Sequence, residues 1–324
     1  MKVVITGGTG FLGLGIARRL AGAGKLCGQA IDGITLFDQS VPDKPPPGLK
    51  GGIDMIAGDI ADRDTVFALI DRDDIAVFHL ASVVSAGGER DFDLAMRVNL
   101  DGGRNVMEAL RARGGPARMV FASSIAVYGG DFPETVTDMT RTVPQTTYGM
   151  TKSVGELMIN DYTRKGFLDG RAARLPTVII RPGPPNLAAS GFASGVFREP
   201  LAGQEYELPV APETKMMVLG FRNAVRCLTG LMEADGEDLG VDRVVNLPNA
   251  AYPVEEMIEA LERVAGQKGI KLGPITPRPD PAIEAIVKTW PLVMDDSRAR
   301  ALGLPGDDGL DSVIEDYIED FGVG

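Results

Sequence analysis

Apolar residues come in short, unbroken runs through the first half of the chain. KVVIT (2–6), ITLFD (34–38), IDMIAGD (53–59), IAVFHLA (75–81) and ARMVFASS (117–124) are such runs. Because they do not alternate with polar residues, they predict strands buried on both faces. Between them lie amphipathic segments with helical spacing: Phe11–Ala23, Asp62–Ile70, Phe92–Arg113 and Tyr148–Arg164. Strand–helix alternation of this kind predicts an α/β fold, a parallel sheet covered by helices on both sides. The Pro-rich PDKPPPG (42–48) reads as a surface loop within it.

The pattern weakens after about residue 182. The stretch 183–214 is rich in Gly, Pro, Ala and Ser, with one helix expected near Ala193–Leu201. RPGPPN (181–186) follows the apolar run Val178–Ile180, and its prolines prevent it from continuing as a central strand. Further helices are expected at Phe221–Glu233, Val254–Ala265, Ala282–Lys288, Asp296–Ala301 and Leu310–Phe321, with a strand at Arg243–Leu247. This suggests a main domain over 1–182 and a smaller α+β lobe over 183–324, with segments about 215–248 returning to the main sheet.

A formal net charge of −12 argues against nucleic acid or an anionic membrane as a general partner, but leaves room for a small anionic ligand. Two cysteines (Cys27, Cys227) and one histidine (His79) cannot make a Cys/His zinc site, so no metal is expected. MKVVITGG is too weakly apolar for a signal peptide. No run reaches the roughly 18 apolar residues that span a bilayer. The cytoplasm is the expected compartment.

TGGTGFLG (6–13) puts Gly7, Gly10 and Gly13 at the turn from the first strand into the first helix, with Phe11 and Leu12 opening that helix. Such a turn binds a dinucleotide: Gly7 permits the turn, Gly10 the approach of a pyrophosphate, and Gly13 close helix–sheet packing. The alternative is a purely structural turn. Asp38 ends the second strand, where a carboxylate accepts ribose hydroxyls and repels a 2′-phosphate, which favours NAD over NADP. Otherwise it is a solvated strand end. Asp59 could reach the adenine amino group with Ile60 against the ring, or could cap a helix. Tyr148 and Lys152 share a helix face, and a nearby ammonium lowers a tyrosine pKa toward the range of a general base. A chance pairing is the alternative. Ser124, at the end of the fifth strand, could bond the same reacting oxygen or cap a turn. His79, inside an apolar run, reads as a packed strand residue rather than a catalyst.

In order along the chain, TGGTGFLG, Asp38, GDI, FHLAS (78–82), VNLDG (98–102), SSIAVYG and YGMTK resemble the extended short-chain dehydrogenase/reductase (NAD-dependent epimerase/dehydratase) superfamily. The resemblance implies a Rossmann-type doubly wound sheet, NAD as cofactor, and Ser124, Tyr148 and Lys152 as the catalytic group. It also implies that Leu80, Ala81, Ser82, Ser123, Pro176 and Thr177 border the cofactor, while Asn99 supports the core. RLPTVIIRPGPPN (174–186), SGFASGVFREPLAG (190–203), NDYTRKGFLDGRA (160–172) and VNLP (245–248) are similar to its D-erythronate dehydrogenase branch. Members of that branch oxidise the C2 hydroxyl of a small sugar acid to a 2-oxo acid. The chain departs from the branch at Pro184, where a lysine is common, and at Met217 and Gly220–Phe221, where a tryptophan and Ser-Pro are common.

The implied acid would lie near Ser82, Ser124 and Asn186, its carboxylate held by one or more of Arg181, Arg198, Lys215 and Arg222, since guanidinium matches carboxylate bidentately. Each of these cations could instead be a solvated surface charge. The alternatives are a nucleoside-diphosphate-sugar epimerase or dehydratase with retained NAD, and a non-catalytic NAD-binding regulator. The helices at 92–113 and 148–164 have apolar residues to spare for a homodimer contact.

Overall fold

The computed structural model, which describes residues 1–322 apart from 45, 47, 50, 51 and 185–187, places the five expected strands side by side in one parallel sheet. They are β1 (Lys2–Thr6), β2 (Gly33–Asp38), β3 (Ile53–Ala57), β4 (Ile75–His79) and β5 (Arg118–Ser124). Two more strands, β6 (Asp169–Leu175) and β7 (Val244–Asn246), complete the order β7-β6-β5-β4-β1-β2-β3. The order reverses at β1, which is the doubly wound Rossmann arrangement.

Alternate residues of β1 go to opposite faces, as a pleated strand requires. Val3 and Ile5 join the core formed with α1 (Phe11–Ala23), while Val4 joins the core formed with α2 (Arg63–Leu69), α3 (Gly102–Arg113) and α4 (Thr147–Arg164). A third core lies outside the sheet. It is built by α5 (Phe192–Leu201), α7 (Val254–Lys268) and α8 (Leu310–Phe321) around a three-stranded sheet of Thr177–Ile179, Lys215–Gly220 and Ala250–Pro253. Between these in sequence, α6 (Phe221–Glu233) returns to pack on α1, and β7 returns to the main sheet edge.

Several elements differ from the sequence expectation. β3, expected to be buried on both faces, is the edge strand, with Asp54, Ile56 and Ala57 exposed. The strand β6 is flanked in the sheet by β7 and β5, yet its sequence DGRAARL carries two arginines. Both are buried and neutralised. Arg171 pairs with the Asp169 carboxylate (3.0 Å) and donates to the carbonyls of Asp169 (2.6 Å) and Ala234 (2.8 Å), and Arg174 makes a two-pronged pair with Glu156. The expected helix Phe92–Arg113 is interrupted: Phe92–Ala95 is α-helical, Met96–Asp101 is a π-helical turn, and α3 follows. Widened turns of this kind commonly sit beside functional sites.

Candidate active site

Sheet register builds the first half of the site. Thr6 stands opposite both Phe37 and His79, so the loop after β1 lies beside the ends of β2 and β4. Gly7 has φ +67°, and a Cβ there would come within 2.8 Å of the Ala81 nitrogen. A Cβ on Gly13 would lie 2.7 Å from the Gly7 carbonyl oxygen. Gly10 precedes α1, whose first turn has no side-chain cap and no acidic residue, which leaves it open to an anion. Phe11 and Leu12 follow at the helix start. The Leu80 nitrogen donates to the Thr6 carbonyl (3.0 Å) and the Ala81 nitrogen to Thr6 Oγ1 (3.4 Å), which fixes the β4 end beside the glycines.

Asp38 is oriented by Thr9, whose nitrogen (3.2 Å) and hydroxyl (2.7 Å) donate to one carboxylate oxygen. Asp59 accepts from the Ala61 nitrogen (2.9 Å) and pairs with Arg97, and these contacts hold its carboxyl below the usual range. The cap of α2 is Asp62 rather than Asp59, with bonds from Asp64 and Thr65. Ile60 is buried against Gly102. Asn99, in the π turn, accepts from the Val83 nitrogen (2.7 Å) and donates to the Val83 carbonyl (3.0 Å) and to Thr151 (3.2 Å). It thereby joins the loop after β4 to α4. Neither Arg97 nor Thr9 is distinguishable from a surface residue by local pattern.

The second half forms where β5 and β6 end together, Ser124 opposite Leu175. Pro176 and Thr177 therefore emerge beside Ser124. α4 starts at a Thr146 cap, and its first turns carry Tyr148 and Lys152. Ser124, Tyr148 and Lys152 line one cavity of about 440 Å³, together with Phe11, Leu12, Leu80, Ser82, Ser123, Pro176 and Thr177. The Ser124 hydroxyl accepts from the Ala126 nitrogen (3.1 Å), capping the turn after β5, and stands near enough to the Tyr148 hydroxyl to act on it. Lys152 Nζ donates to the Ala122 carbonyl at 2.7 Å and lies 5.4 Å from the centre of the Tyr148 ring.

Burial pushes the Tyr148 hydroxyl up, with the Ser124 hydroxyl opposing it. Burial also pushes Lys152 down to about 7, against the pull of Glu156 one turn along. The expectation that the ammonium lowers the tyrosine is thus reversed in the protein alone, because desolvation acts on both partners. Ser123, though at the cavity wall, commits its hydroxyl to Glu156 (2.5 Å). His79 is fully buried, bonded to Thr6 (2.7 Å) and stacked on Phe121, and burial drives it down to about 3. That is a packed strand histidine.

Beyond Thr177 the cavity reaches α5. Arg181 and Arg198 both line it, and the charge of Arg198 adds to burial in lowering the Arg181 pKa. Arg181 donates to the Pro184 carbonyl (2.5 Å). Arg198 donates to the Arg181 carbonyl (2.9 Å) and pairs with Glu199. Two other candidate cations are elsewhere. Lys215 is exposed at the start of its strand, and Arg222 is held by Asp316, Glu319 and Asp320 of α8. Asn186 lies outside the described residues. Ser190, Ser194 and Glu199, which fall within SGFASGVFREPLAG but were not singled out there, also line the cavity, as do Tyr206 and Trp290, which carried no motif signal. Among the described residues, no group of His, Cys, Asp and Glu could hold a metal, and no helix is long and apolar enough to cross a membrane.

Residues 3–230 match the model of the NAD dependent epimerase/dehydratase family. The chain belongs to that family. This member is 48% identical to a D-erythronate dehydrogenase of Cupriavidus necator, over 100% of this chain and 99% of the relative. It is 37% identical to a D-erythronate dehydrogenase of Haemophilus influenzae, over 98% and 99%. A crystal structure of a nucleoside-diphosphate-sugar epimerase from Agrobacterium tumefaciens superposes with TM-score 0.91 at 38% identity, covering 99% of this chain and 94% of that one. The epimerase/dehydratase member described here is an NAD-dependent oxidoreductase acting on a CH–OH group, and NAD is its cofactor. Its glycine turn, uncapped α1 and Asp38 fit a dinucleotide.

Proposed function

We propose that the protein oxidises the C2 hydroxyl of a small sugar acid of the D-erythronate kind to the 2-oxo acid. The observation that carries this reading is one cavity lined both by Ser124, Tyr148 and Lys152 and by Arg181 and Arg198. The nicotinamide of NAD, when bound, accepts the hydride and brings a positive charge beside the tyrosine. Gly7, Gly10, Phe11, Leu12 and Gly13 would hold its pyrophosphate side, Asp38 its adenosine ribose, and Asp59 and Ile60 its adenine. Leu80, Ala81, Ser82, Pro176 and Thr177 would border it further along.

Tyr148 takes the C2 hydroxyl proton as a general base, and Ser124 orients that hydroxyl and the phenolic oxygen. The Ser124 hydroxyl lowers the Tyr148 pKa, so it favours the deprotonated form that catalysis needs. Lys152 contributes its charge when protonated, and its hold on the Ala122 carbonyl fixes where that charge stands. Arg181 and Arg198 would take the carboxylate. The half-buried Arg181 guanidinium, its charge disfavoured by burial and by the neighbouring Arg198, is relieved by an anion placed beside it.

The similarity to the structure of the nucleoside-diphosphate-sugar epimerase supports a second reading, epimerisation of a sugar nucleotide. One experiment separates them: C4 to C6 sugar acids and UDP-sugars are offered with NAD, and NADH and UDP-sugar interconversion are followed. NADH formation with D-erythronate is expected. Interconversion of a UDP-sugar with no acid oxidised would overturn the reading. We also infer a homodimer through the helices at 92–113 and 148–164. In support, Leu157 on α4 is 70% exposed and Phe92 is 55% exposed. A monomer mass in sedimentation equilibrium would refute it.

A further inference from the structure

Helix α5 turns Phe192, Gly195, Arg198 and Glu199 toward the cavity, at the spacing of three and four that aligns side chains on one helix face. Gly195 contributes by lacking a side chain, since a Cβ there would meet Tyr206 Oη at 2.6 Å. The Tyr206 ring therefore packs against the helix backbone at the cavity wall. The two oxygens of Glu199 then have different fates. Oε1 pairs with the Arg198 guanidinium, whereas Oε2 is buried with no hydrogen-bond partner among the described residues.

This differs from the buried Glu156 behind the site. Glu156 has Oε1 taken by Ser123 and by Arg174 Nε, and Oε2 taken by a terminal nitrogen of Arg174. A buried acceptor left without a donor is costly, and native proteins rarely keep one without a use. The second oxygen of a carboxylate whose first is paired with an arginine can only accept, so the group that satisfies it must bring an O–H or N–H. It also repels another carboxylate, so it cannot be where the acid's own charge sits. What remains of a sugar acid is its hydroxyl groups.

We propose that Glu199 Oε2 accepts a hydrogen bond from a hydroxyl beyond C2 of the substrate. Helix α5 then selects a polyhydroxy acid over a plain 2-hydroxy acid. The inference rests on the sugar-acid reading above and deepens it. Arg198 supplies both ends of the arrangement: it holds Glu199 in place and offers its own charge to the carboxylate.

The test compares kcat/KM for D-erythronate with its 3-deoxy and 4-deoxy analogues (2,4- and 2,3-dihydroxybutanoate), in wild type and in Glu199→Gln. Wild type should prefer erythronate over at least one analogue by about ten- to a hundredfold, the range of a charge-assisted hydrogen bond lost from a buried site. In Glu199→Gln that preference should fall to within about threefold, with most of the loss on erythronate. Equal rates for all three acids in wild type would overturn the inference whether or not the variant folds. So would a variant that binds NADH normally and keeps the wild-type preference. If wild type oxidises none of the three, the sugar-acid reading itself falls and takes this inference with it. Oxidation of erythronate without discrimination removes Glu199 alone.

Discussion

Removing the Arg174 side chain should cost more stability than any single change on the surface. Arg174 and Glu156 are each only 5% exposed at the side chain. Arg174 reaches Glu156 through Nε at 2.9 Å and a terminal nitrogen at 2.8 Å, and its other terminal nitrogen reaches Tyr128 Oη at 2.6 Å and the Asp138 carbonyl at 3.1 Å. In Arg174→Met the methionine fills part of the space, but Glu156 keeps only Ser123 as a donor. Breaking one side of a buried pair costs about 3–5 kcal/mol, because the remaining charge stays desolvated. With an unfolding entropy of about 2.1 cal/mol/K per residue over 324 residues, that is a Tm drop of roughly 4–7 °C. Thermal unfolding followed by circular dichroism would read it. Glu156→Gln alone should also destabilise, but the double variant should recover about 2 kcal/mol relative to the sum of the singles, since no charge is left unpaired. A Tm drop under about 2 °C for Arg174→Met, or strictly additive effects, would refute the argument.

Tyr148→Phe should lower kcat by about 10²- to 10⁴-fold while NADH still binds, as fluorescence titration would show. Substantial residual turnover would remove Tyr148 from the chemistry. Asp38→Ala should reduce the NAD-to-NADP preference in kcat/KM by about ten- to a hundredfold, because charged acceptors for the ribose hydroxyls are lost. An unchanged ratio would sink that assignment. Lys152 should show itself in stability against pH. It holds a proton to about pH 7 when folded and to its ordinary value of 10.5 when unfolded. The unfolded chain therefore binds more protons between those values, so this group makes stability rise with pH across that window, by at most about 1.4 kcal/mol per pH unit. Urea unfolding at a series of pH values should show that rise reduced in Lys152→Met, and an identical slope in the two proteins would count against the buried, depressed lysine.

The existence of the strands β1 to β5, the glycine turn and the position of Asp38 were legible without coordinates. Strands buried on both faces, as β1, β2, β4 and β5 are, must be continuous apolar runs, and a turn with a left-handed backbone residue at Gly7 calls for glycine. Tyr148 and Lys152 were legible as a pair because four residues on a helix return to the same side. β6 was hidden by Arg171 and Arg174, whose charges read as exposed until Asp169, Ala234 and Glu156 are seen around them. Likewise, no local pattern separates Arg181 and Arg198, which line the cavity, from Arg222, held by three carboxylates of α8. The distinction for Glu199 is finer still, since it lies in which of its two oxygens finds a donor. The sequence by itself determined the fold class and the dinucleotide end of the site, because those follow from how neighbouring residues meet water and turn the chain. The tertiary structure alone decided which charges are spent on one another and which face the cavity, because a charge is neutralised by whatever the fold brings to it from far along the chain.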